Sequence, residues 1–268
     1  MIDSPFLTRR SMRVSHTTEA IVLRALPYGE SDKIVSFLTE THGKISGIAK
    51  GAKRSRKRFA NSLEPFSLVE LRFQERQHGS MVFLLSAELR SVFKNLTSDL
   101  ESIAAASYLI EITDRLTGEQ DDSRLVFNHL KEGLRLLESS GYSVLFLTAF
   151  ELKLLRLAGY EPALNRCRQC AMDRPKDRPA EGWHFSPADG GVFCYRCSRS
   201  KREVLPVGSN ALSALADLQE KEQQQFSPRI FLSSLVVKEI RSIVVRFIQF
   251  QIGKEIKSAA FLNKVCMG

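Results

Sequence analysis

Two Cys-x-x-Cys motifs constrain the fold of this chain more than any other feature of its sequence. Cys167 and Cys170 form the first motif, Cys194 and Cys197 form the second, and 23 residues separate the two. Each motif can place two thiolates on one side of a tetrahedral metal ion, and four thiolates are a common ligand set for zinc. Because four thiolates leave no open coordination position, we predict one structural Zn²⁺ ion without a catalytic role.

Other roles for the cysteines fit the sequence less well. Disulfides rarely persist in a reducing cytosol, and we find no secretory signal peptide that would direct the chain elsewhere. A redox-active Cys-x-x-Cys belongs in a strand–helix–strand pattern, whereas the loop between these motifs is rich in proline and glycine. His184 lies in that loop and is expected to be a surface or packing residue, and Cys266 is expected to be a free thiol.

The charge of the chain indicates a polyanionic partner. Its net charge is +9 and its pI is about 9.4, values that are typical of nucleic-acid-binding proteins. Residues 1–90 contain 15 Lys and Arg against 9 Asp and Glu, so this first third holds +6 of the total. No apolar run approaches the roughly 20 residues of a membrane helix, so we expect a cytoplasmic protein with no membrane partner.

The first third of the chain has the pattern of a small β-barrel. Five short segments separated by turn signals are predicted strands, and they are Thr17–Val22, Lys33–Thr39, Lys44–Ala49, Ser67–Phe73 and Ser80–Leu85. A basic five-stranded barrel favours an OB-fold, with an SH3-like barrel as the alternative. We assign residues 16–90 to this nucleic-acid-binding domain and residues 1–15 to a loose basic extension, within which either Met1 or Met12 is the start.

A strongly basic loop follows the third predicted strand. Six of the nine residues from Lys50 to Arg58 are Lys or Arg, and none is acidic. Charge runs are ordinarily solvated loops, but like charges this dense gain most when a phosphate backbone neutralises them. We therefore predict that the loop contacts nucleic acid. Phe59 and Phe66 are candidate surfaces for base stacking, although each is more often a core residue at such a position.

From residue 91 onward the pattern becomes helical. Apolar residues recur at helical spacing in segments at about 98–116, 122–140, 143–158, 209–220, 235–250 and 254–262. The expected N-caps of the first three are Ser98-Asp99, Asp122-Ser123 and Ser143. We therefore predict an α+β protein, in which an N-terminal five-stranded OB-fold barrel is followed by an α-helical bundle at residues 91–268. The bundle carries the four-cysteine zinc module, inserted at about residues 163–202.

The order of these parts resembles that of the bacterial RecO family of recombination mediators. The stretch Thr18–Ile45 looks like that family's N-terminal strand pair, and Gly47–Ser55 looks like its basic third strand. Phe150–Pro162 is similar to the approach to the family's zinc module, and Gly190–Cys194 resembles its second cysteine motif. The resemblance spans about residues 16–260.

The resemblance implies a role in DNA repair without catalysis. RecO-like proteins bind single- and double-stranded DNA, anneal complementary strands and, with the partner RecR, help to load RecA onto DNA coated by single-strand-binding protein. They contact the acidic C-terminal tail of that coating protein, so a basic-rimmed apolar groove is expected on the helical domain. Arg241 and Arg246 are candidates for the rim, with plain solubilising charge as the alternative. A nucleoid-associated location in a bacterial cytoplasm is implied as well.

Candidate DNA contacts are the basic residues of the barrel, of its loop and of the cysteine module. Such side chains hold the phosphate backbone and leave the bases free to pair. The candidates are Arg24, Lys33, Lys44, Lys50, Lys53, Arg54, Arg56, Lys57 and Arg58 in the first domain, and Arg166, Arg168, Arg196 and Arg199 beside the zinc ligands.

Motifs of common enzyme classes are missing from the sequence. The chain has no phosphate-binding Gly-x-x-x-x-Gly-Lys-Ser/Thr loop, and its five histidines form no His-Glu-x-x-His motif. We therefore expect no enzymatic activity. Two other functions stay open at this point: an RNA-binding or transcription-associated protein with the same barrel and zinc ribbon, and an interaction scaffold whose basic charge is incidental.

Overall fold

The computed structural model describes residues 14–76, 79–119, 124–174, 182–220 and 232–266. These residues fall into two units, the first ending at Val92 and the second beginning at Phe93. The first unit is built from strands and the second mainly from helices, which confirms the predicted α+β class. Residues 1–13 of the predicted basic extension lie outside the described residues, and Ser15 already begins the first strand.

Five strands form a closed barrel in the first unit. They are β1 (Ser15–Tyr28), β2 (Asp32–Thr39), β3 (Lys44–Ala49), β4 (Ser67–Gln74) and β5 (Val82–Val92). Neighbouring strands pair in the order β1-β2-β3-β5-β4, and pairing between β1 and β4 closes the barrel. The β3–β5 pairing is parallel, and the other pairings are antiparallel. A five-stranded barrel of this kind is OB-like, as predicted.

Alternating apolar residues build the core of the barrel, as in Val35 and Phe37 of β2 and Val69, Leu71 and Phe73 of β4. The predicted end of the fifth strand at Leu85 is wrong, because β5 continues to Val92. Most residues that follow Leu85 are polar, but Ala87 still reaches the core. Arg90 also forms an ion pair with Glu70 of the neighbouring strand, with N and O 2.5 Å apart.

Seven helices and a small sheet are described in the second unit. The helices are α1 (Leu100–Leu116), α2 (Arg124–Ser140), α3 (Val144–Leu157), α4 (Tyr195–Ser198), α5 (Ser209–Glu220), α6 (Ser234–Ile252) and α7 (Lys257–Cys266). The sheet consists of β6 (Trp183–Ser186), β7 (Gly191–Phe193) and β8 (Leu205–Val207), in the order β7-β6-β8. The sheet and α4 lie between α3 and α5 in the chain, where the sequence predicts the cysteine module.

Capping residues explain where several helices begin and end. The carboxylate of Asp99 accepts a hydrogen bond of 2.8 Å from the backbone N–H of Ser102, which confirms the predicted N-cap of α1. The predicted Asp122-Ser123 cap lies outside the described residues. Gly253, with φ +66°, ends α6 in the left-handed conformation that favours glycine. The last helix begins at Lys257, three residues later than predicted, and ends at Cys266.

Three polar side chains form a buried network among the helices. Glu151 of α3 accepts hydrogen bonds from the Tyr108 hydroxyl of α1 and from the Arg241 guanidinium of α6. Burial works against the charge of Arg241, but the Glu151 carboxylate outweighs it and raises the pKa of this arginine. Burial and the same carboxylate raise the pKa of Tyr108 well above its usual value. The guanidinium therefore stays charged, and the tyrosine stays neutral.

This network overturns the prediction that Arg241 lies on a solvent-facing rim. Arg241 is only 5% exposed and points at Glu151, whereas Arg246 lies on the exposed side of the same helix. The periodicity of α6 places both arginines beside apolar positions. It does not reveal that a buried carboxylate on α3 pairs with Arg241, which is why Arg241 is buried.

Replacement of Glu151 by glutamine is expected to lower the free energy of unfolding by about 3–5 kcal/mol, because it leaves the buried Arg241 charge without its partner. Arg246→Ala is the matched control, since it removes an exposed arginine from the same helix and should change stability by less than about 0.5 kcal/mol. Urea denaturation of the two variants measures both values. A Glu151→Gln protein as stable as the control would contradict a charged buried pair.

Candidate metal centre and nucleic-acid interface

The four cysteines of the two motifs converge on one point in the second unit. The sulfur atoms of Cys167, Cys170, Cys194 and Cys197 all lie within 4.8 Å of one another, and all four thiols are free. The sulfur atoms of Cys170 and Cys194 are 3.9 Å apart. Tetrahedral coordination with Zn–S bonds of about 2.3 Å requires sulfur–sulfur distances of roughly 3.8 Å. This cluster could therefore hold a metal ion, as the sequence predicts.

Local backbone turns aim each pair of thiols at the same point. In the first motif the N–H of Ala171 donates to the carbonyl of Cys167 at 3.0 Å, and the N–H of Cys167 donates to the carbonyl of Met172 at 2.8 Å. Ala171 has φ +57°, so the chain turns back sharply at this residue. In the second motif the carbonyl of Cys194 accepts from the N–H of Ser198 at 2.9 Å, which closes the short helix α4.

Backbone pairing joins the two turns. The N–H of Arg168 donates to the carbonyl of Val192 at 2.9 Å, so the first turn is tied to β7 directly before the second motif. Gly191 of β7 pairs with Ala163 in an isolated parallel bridge. A Cβ atom at position 191 would lie 2.8 Å from the carbonyl oxygen of Ala163, so the close approach of these chains requires glycine.

The electrostatics of the cluster favour a bound cation. Burial works against ionisation of Cys167, but backbone N–H groups of Cys170, Cys194 and Gln169 outweigh it and lower the pKa of this thiol to about 6. Burial and interactions with the other three cysteines raise the pKa of Cys197 to about 12. The Cys167 thiol therefore ionises readily, and its negative charge opposes ionisation of Cys197. A dication at the centre would offset this repulsion and hold all four ligands as thiolates.

The other histidine and cysteine considered for the module lie outside the cluster. The Nδ1 atom of His184 is 3.1 Å from the carbonyl oxygen of Gly182, and its side chain is half-buried on β6. Cys266 is a free, partly buried thiol on α7, and burial raises its pKa. Among the described residues, the metal-ligand group thus consists of the four predicted cysteines.

Four predicted arginines surround the cysteine cluster in sequence and are exposed. Each lies within two residues of a cysteine ligand, and they are Arg166, Arg168, Arg196 and Arg199. The nearby cation Lys201 is already paired, since its Nζ atom lies 2.7 Å from the Asp189 carboxylate. That carboxylate also attracts Arg168, so part of the positive charge of the module is balanced internally.

The basic loop of the first unit has a defined backbone conformation. Gly51, with φ +68°, donates its N–H to the carboxylate of Asp32 at 2.8 Å, and the N–H of Lys53 donates to the carbonyl of Ser31 at 3.0 Å. The guanidinium of Arg58 donates to the carbonyl of Lys50 at 2.8 Å, which links the two ends of the basic run. The loop is thus attached to the start of β2 and closed upon itself.

Three cations of this loop are exposed and form no ion pair with the described residues. The side chains of Arg54, Arg56 and Lys57 are exposed, and the residues that the structure describes offer none of them an ion-pair partner. Lys50 and Lys53 are exposed as well, with Lys50 over the ring of Phe83 at 5.6 Å and Lys53 donating to a backbone carbonyl. The Asp32 carboxylate attracts both lysines, so part of their charge is balanced, and the three cations without an ion-pair partner carry the uncompensated charge of the loop.

The predicted contacts on the strands differ in how available they are. Arg24 is exposed at a bulge in β1. Lys33 of β2 forms an ion pair of 2.7 Å with Glu64, so a phosphate would have to compete with this carboxylate. Lys44 is half-buried at the start of β3 and has an electrostatic or hydrogen-bonding partner.

The aromatic residue suited to base stacking is Tyr28 rather than Phe59. Phe59 is only 3% exposed and belongs to the barrel core, which was the more frequent of the two roles considered for it, and Phe66 is half-buried. Tyr28 ends β1 and is 52% exposed. The carbonyl of the next residue, Gly29, accepts a hydrogen bond of 2.8 Å from the Nζ atom of Lys53, so the end of β1 that contains Tyr28 is joined to the basic loop. The sequence feature that could have identified Tyr28 is the Pro27-Tyr28-Gly29 turn, because side chains in turns are usually exposed.

A small apolar cavity lies among the helices and the sheet of the second unit. Its volume is about 10 Å³, room for roughly one water molecule, and its lining residues are all buried: Leu152, Leu155, Pro162, Leu164, Phe185, Leu215, Ile243, Val244 and Phe247. Arg246 is adjacent to Phe247 in the chain and is exposed, whereas Arg241 is turned toward Glu151. Of the two predicted rim residues, Arg246 thus keeps a position compatible with that role.

Together these features define a class of nucleic-acid-binding protein in which a basic OB-like barrel is joined to a helical unit with a four-cysteine centre. Comparison with known proteins narrows the class. Residues 12–93 match the family described as Recombination protein O N terminal, and residues 97–260 match Recombination protein O C terminal. The chain therefore belongs to the RecO family of DNA repair proteins, which confirms the resemblance inferred from the sequence.

Individual relatives cover nearly the whole chain. The DNA repair protein RecO of Syntrophus aciditrophicus (strain SB) is 35% identical over 255 residues, which are 94% of this chain and 97% of the relative. The RecO proteins of Anaeromyxobacter dehalogenans (strain 2CP-C) and Myxococcus xanthus (strain DK1622) are 32% and 33% identical, over 91% and 92% of this chain and 94% and 96% of their own lengths. None of the described helices has the length and apolarity needed to span a bilayer.

Proposed function

We propose that this protein is a recombination mediator that binds single- and double-stranded DNA and anneals complementary strands. With RecR, it helps to load RecA onto DNA coated by single-strand-binding protein. The observation that carries the proposal is the basic loop, whose backbone is held by Asp32 and Ser31 while Arg54, Arg56 and Lys57 stay exposed and unpaired among the described residues.

An annealing protein must hold two polyanions together without covering their bases. Cations on a loop neutralise phosphates and carry no sequence information, so both strands keep their pairing edges free. Tyr28 beside the loop supplies one stacking surface, on which a base of single-stranded DNA rests without being read.

The metal proposed for the four-cysteine centre is one Zn²⁺ ion with a structural role. Four cysteine sulfur atoms within 4.8 Å of one another, with one pair 3.9 Å apart, suit zinc, and a closed shell of four thiolates provides no position for a substrate. The bound ion would contribute folding energy and neutralise the thiolates. The chain itself then positions Arg166, Arg168, Arg196 and Arg199 as a second set of phosphate contacts, on the helical unit.

The partner proposed for the helical unit is the C-terminal tail of single-strand-binding protein. Its acidic residues suit an exposed cation such as Arg246, which is adjacent in the chain to the buried Phe247. RecR and, indirectly, RecA are the further partners, and we propose no enzymatic activity. A protein with these partners acts in the bacterial cytoplasm, at the nucleoid.

Strand annealing measured with and without the coating protein tests this function. The protein should accelerate pairing of two complementary oligonucleotides, and the acceleration should persist when both are coated by intact single-strand-binding protein. A coating protein truncated at its C-terminal tail is the control, and it should suppress the reaction. Slower annealing, or a preference for structured RNA over single-stranded DNA, would refute the mediator function.

A further inference from the structure

One tyrosine of the cysteine module is exposed, whereas the phenylalanine and tryptophan side chains of the module are packed inside it. Trp183, Phe185 and Phe193 of the small sheet are each no more than 3% exposed. Tyr195, which lies between the two cysteines of the second motif, is 61% exposed. The ring of Tyr195 is therefore not needed to fill the interior of the module, and most of its surface is accessible to a ligand.

The backbone of α4 fixes the position of Tyr195. Its carbonyl accepts a hydrogen bond of 3.0 Å from the Ser198 hydroxyl, and the Ser198 N–H donates to the carbonyl of Cys194 at 2.9 Å. Gly182 lies against the base of the tyrosine side chain, because a Cβ atom at that glycine would be 3.2 Å from the Cβ atom of Tyr195. A side chain that is held at its base and exposed at its ring loses little conformational entropy when a ligand binds.

Cations lie next to this ring. Arg199 follows Tyr195 by four residues and keeps helical backbone angles, with φ −63° and ψ −22°, so the two side chains share one face of the turn. Arg196 and Arg199 are both exposed, and residues 195–202 contain four Lys and Arg but no Asp or Glu. An aromatic ring flanked by cations suits a polyanion with flat bases better than it suits an apolar protein surface.

We propose that the cysteine module binds single-stranded DNA, with an unpaired base stacked on the ring of Tyr195 and the adjoining phosphate held by Arg199. Every base has a π-face, so such a site tolerates any sequence. Bases within a duplex are stacked on one another and leave no face for the tyrosine. The inference rests on the proposed DNA-binding function and extends it, because phosphate contacts alone serve both forms of DNA, whereas Tyr195 makes the second unit selective for unpaired nucleotides.

Photo-cross-linking of the full-length, zinc-supplemented protein tests this contact without a mutation. An oligonucleotide that carries iodouracil in place of thymine cross-links to aromatic side chains stacked on it, and mass spectrometry of the peptides identifies them. We expect cross-links at Tyr195 and at Tyr28. Cross-links at Tyr28 alone, at saturating DNA, would overturn the site on the cysteine module and leave the DNA-binding function intact. A protein that binds no single-stranded DNA would overturn both.

Affinity measured without the charges of the basic loop reports on the second unit. In a protein with Arg54, Arg56 and Lys57 replaced by alanine, the further change Tyr195→Ala should weaken binding to single-stranded DNA about tenfold and leave duplex binding unchanged. Tyr195→Phe should keep the affinity, because the ring and not the hydroxyl contacts the base. Tyr160→Ala is the matched control, since it removes a 41% exposed tyrosine of the same unit, and it should have no effect.

Two further measurements separate stacking from a disturbed module. The Tyr195→Ala protein should keep the parental zinc content and the parental emission of Trp183, because the tyrosine lies outside the interior of the module. Arg199→Gln should instead flatten the slope of log K against log salt by about 0.7, the contribution of one phosphate. An equal loss of affinity for single-stranded and duplex DNA in Tyr195→Ala, or the same loss in Tyr160→Ala, would overturn the proposal.

Discussion

Simultaneous replacement of Arg54, Arg56 and Lys57 by alanine is expected to weaken binding to single-stranded DNA about 50-fold at physiological salt. Each cation that neutralises a phosphate contributes about −0.7 to the slope of log K against log salt. If five phosphates are neutralised, the slope should change from about −3.5 to about −1.4 in the triple variant. The fold should persist, since these exposed side chains make no ion pair with the described residues. Fluorescence anisotropy over a series of salt concentrations measures both quantities.

A control variant shows whether the loss of DNA affinity depends on the position of the removed charges or only on their number. Arg124, Arg135 and Arg156 are exposed on the helices of the second unit, and their replacement by alanine changes the net charge by the same amount. This control should keep the parental slope. Equal slopes in the parent and in the loop variant would exclude the loop as the DNA contact.

Tyr28→Ala tests the stacking surface in the same assay. Loss of one base–aromatic stack should reduce affinity for single-stranded DNA about tenfold and leave the salt slope unchanged, since no charge is removed. Duplex DNA keeps its bases stacked on each other, so its binding should not change. Tyr28→Phe should restore the affinity, because the ring and not the hydroxyl contacts the base. A flatter slope for Tyr28→Ala would indicate instead that the mutation disturbs the loop.

Local patterns in the sequence predict most of the architecture. Period-two alternation locates the strands of the barrel, and the two Cys-x-x-Cys motifs identify the four residues whose sulfur atoms converge. Both signals succeed because each depends on residues that are close in the chain. A cysteine turn has the same shape in many folds, so its ligands are recognisable before the rest of the structure is known.

What the sequence does not predict depends on partners that are distant in the chain. Arg241 is polar and lies on an amphipathic helix, yet Glu151, 90 residues away, draws it into the interior. Phe59 directly follows the basic run, but it packs into the barrel, whereas Tyr28 is exposed. Periodicity predicts which face of a helix or strand a residue lies on. Which distant residue it contacts depends on how the elements pack together in the fold.

Cys194→Ser is expected to remove the ion of the four-cysteine centre and to loosen the module around it. A serine hydroxyl does not replace a thiolate ligand, and a structural zinc site contributes folding energy directly. The single tryptophan of the chain reports on this change, because Trp183 lies on β6 and is 3% exposed. Its emission should shift to longer wavelength as water reaches the ring. The same shift should follow treatment of the parent with a strong zinc chelator.

Cys266→Ser is the matched control, since it removes a free thiol of α7 that lies outside the metal cluster. It should leave both zinc content and tryptophan emission unchanged. The Cys194→Ser protein should still bind single-stranded DNA with most of the parental salt slope, because the basic loop belongs to the barrel. Unchanged zinc content and emission in Cys194→Ser would refute a structural ion at this site. Loss of the entire salt slope would mean that the arginines beside the cysteines, rather than the loop, hold the DNA backbone.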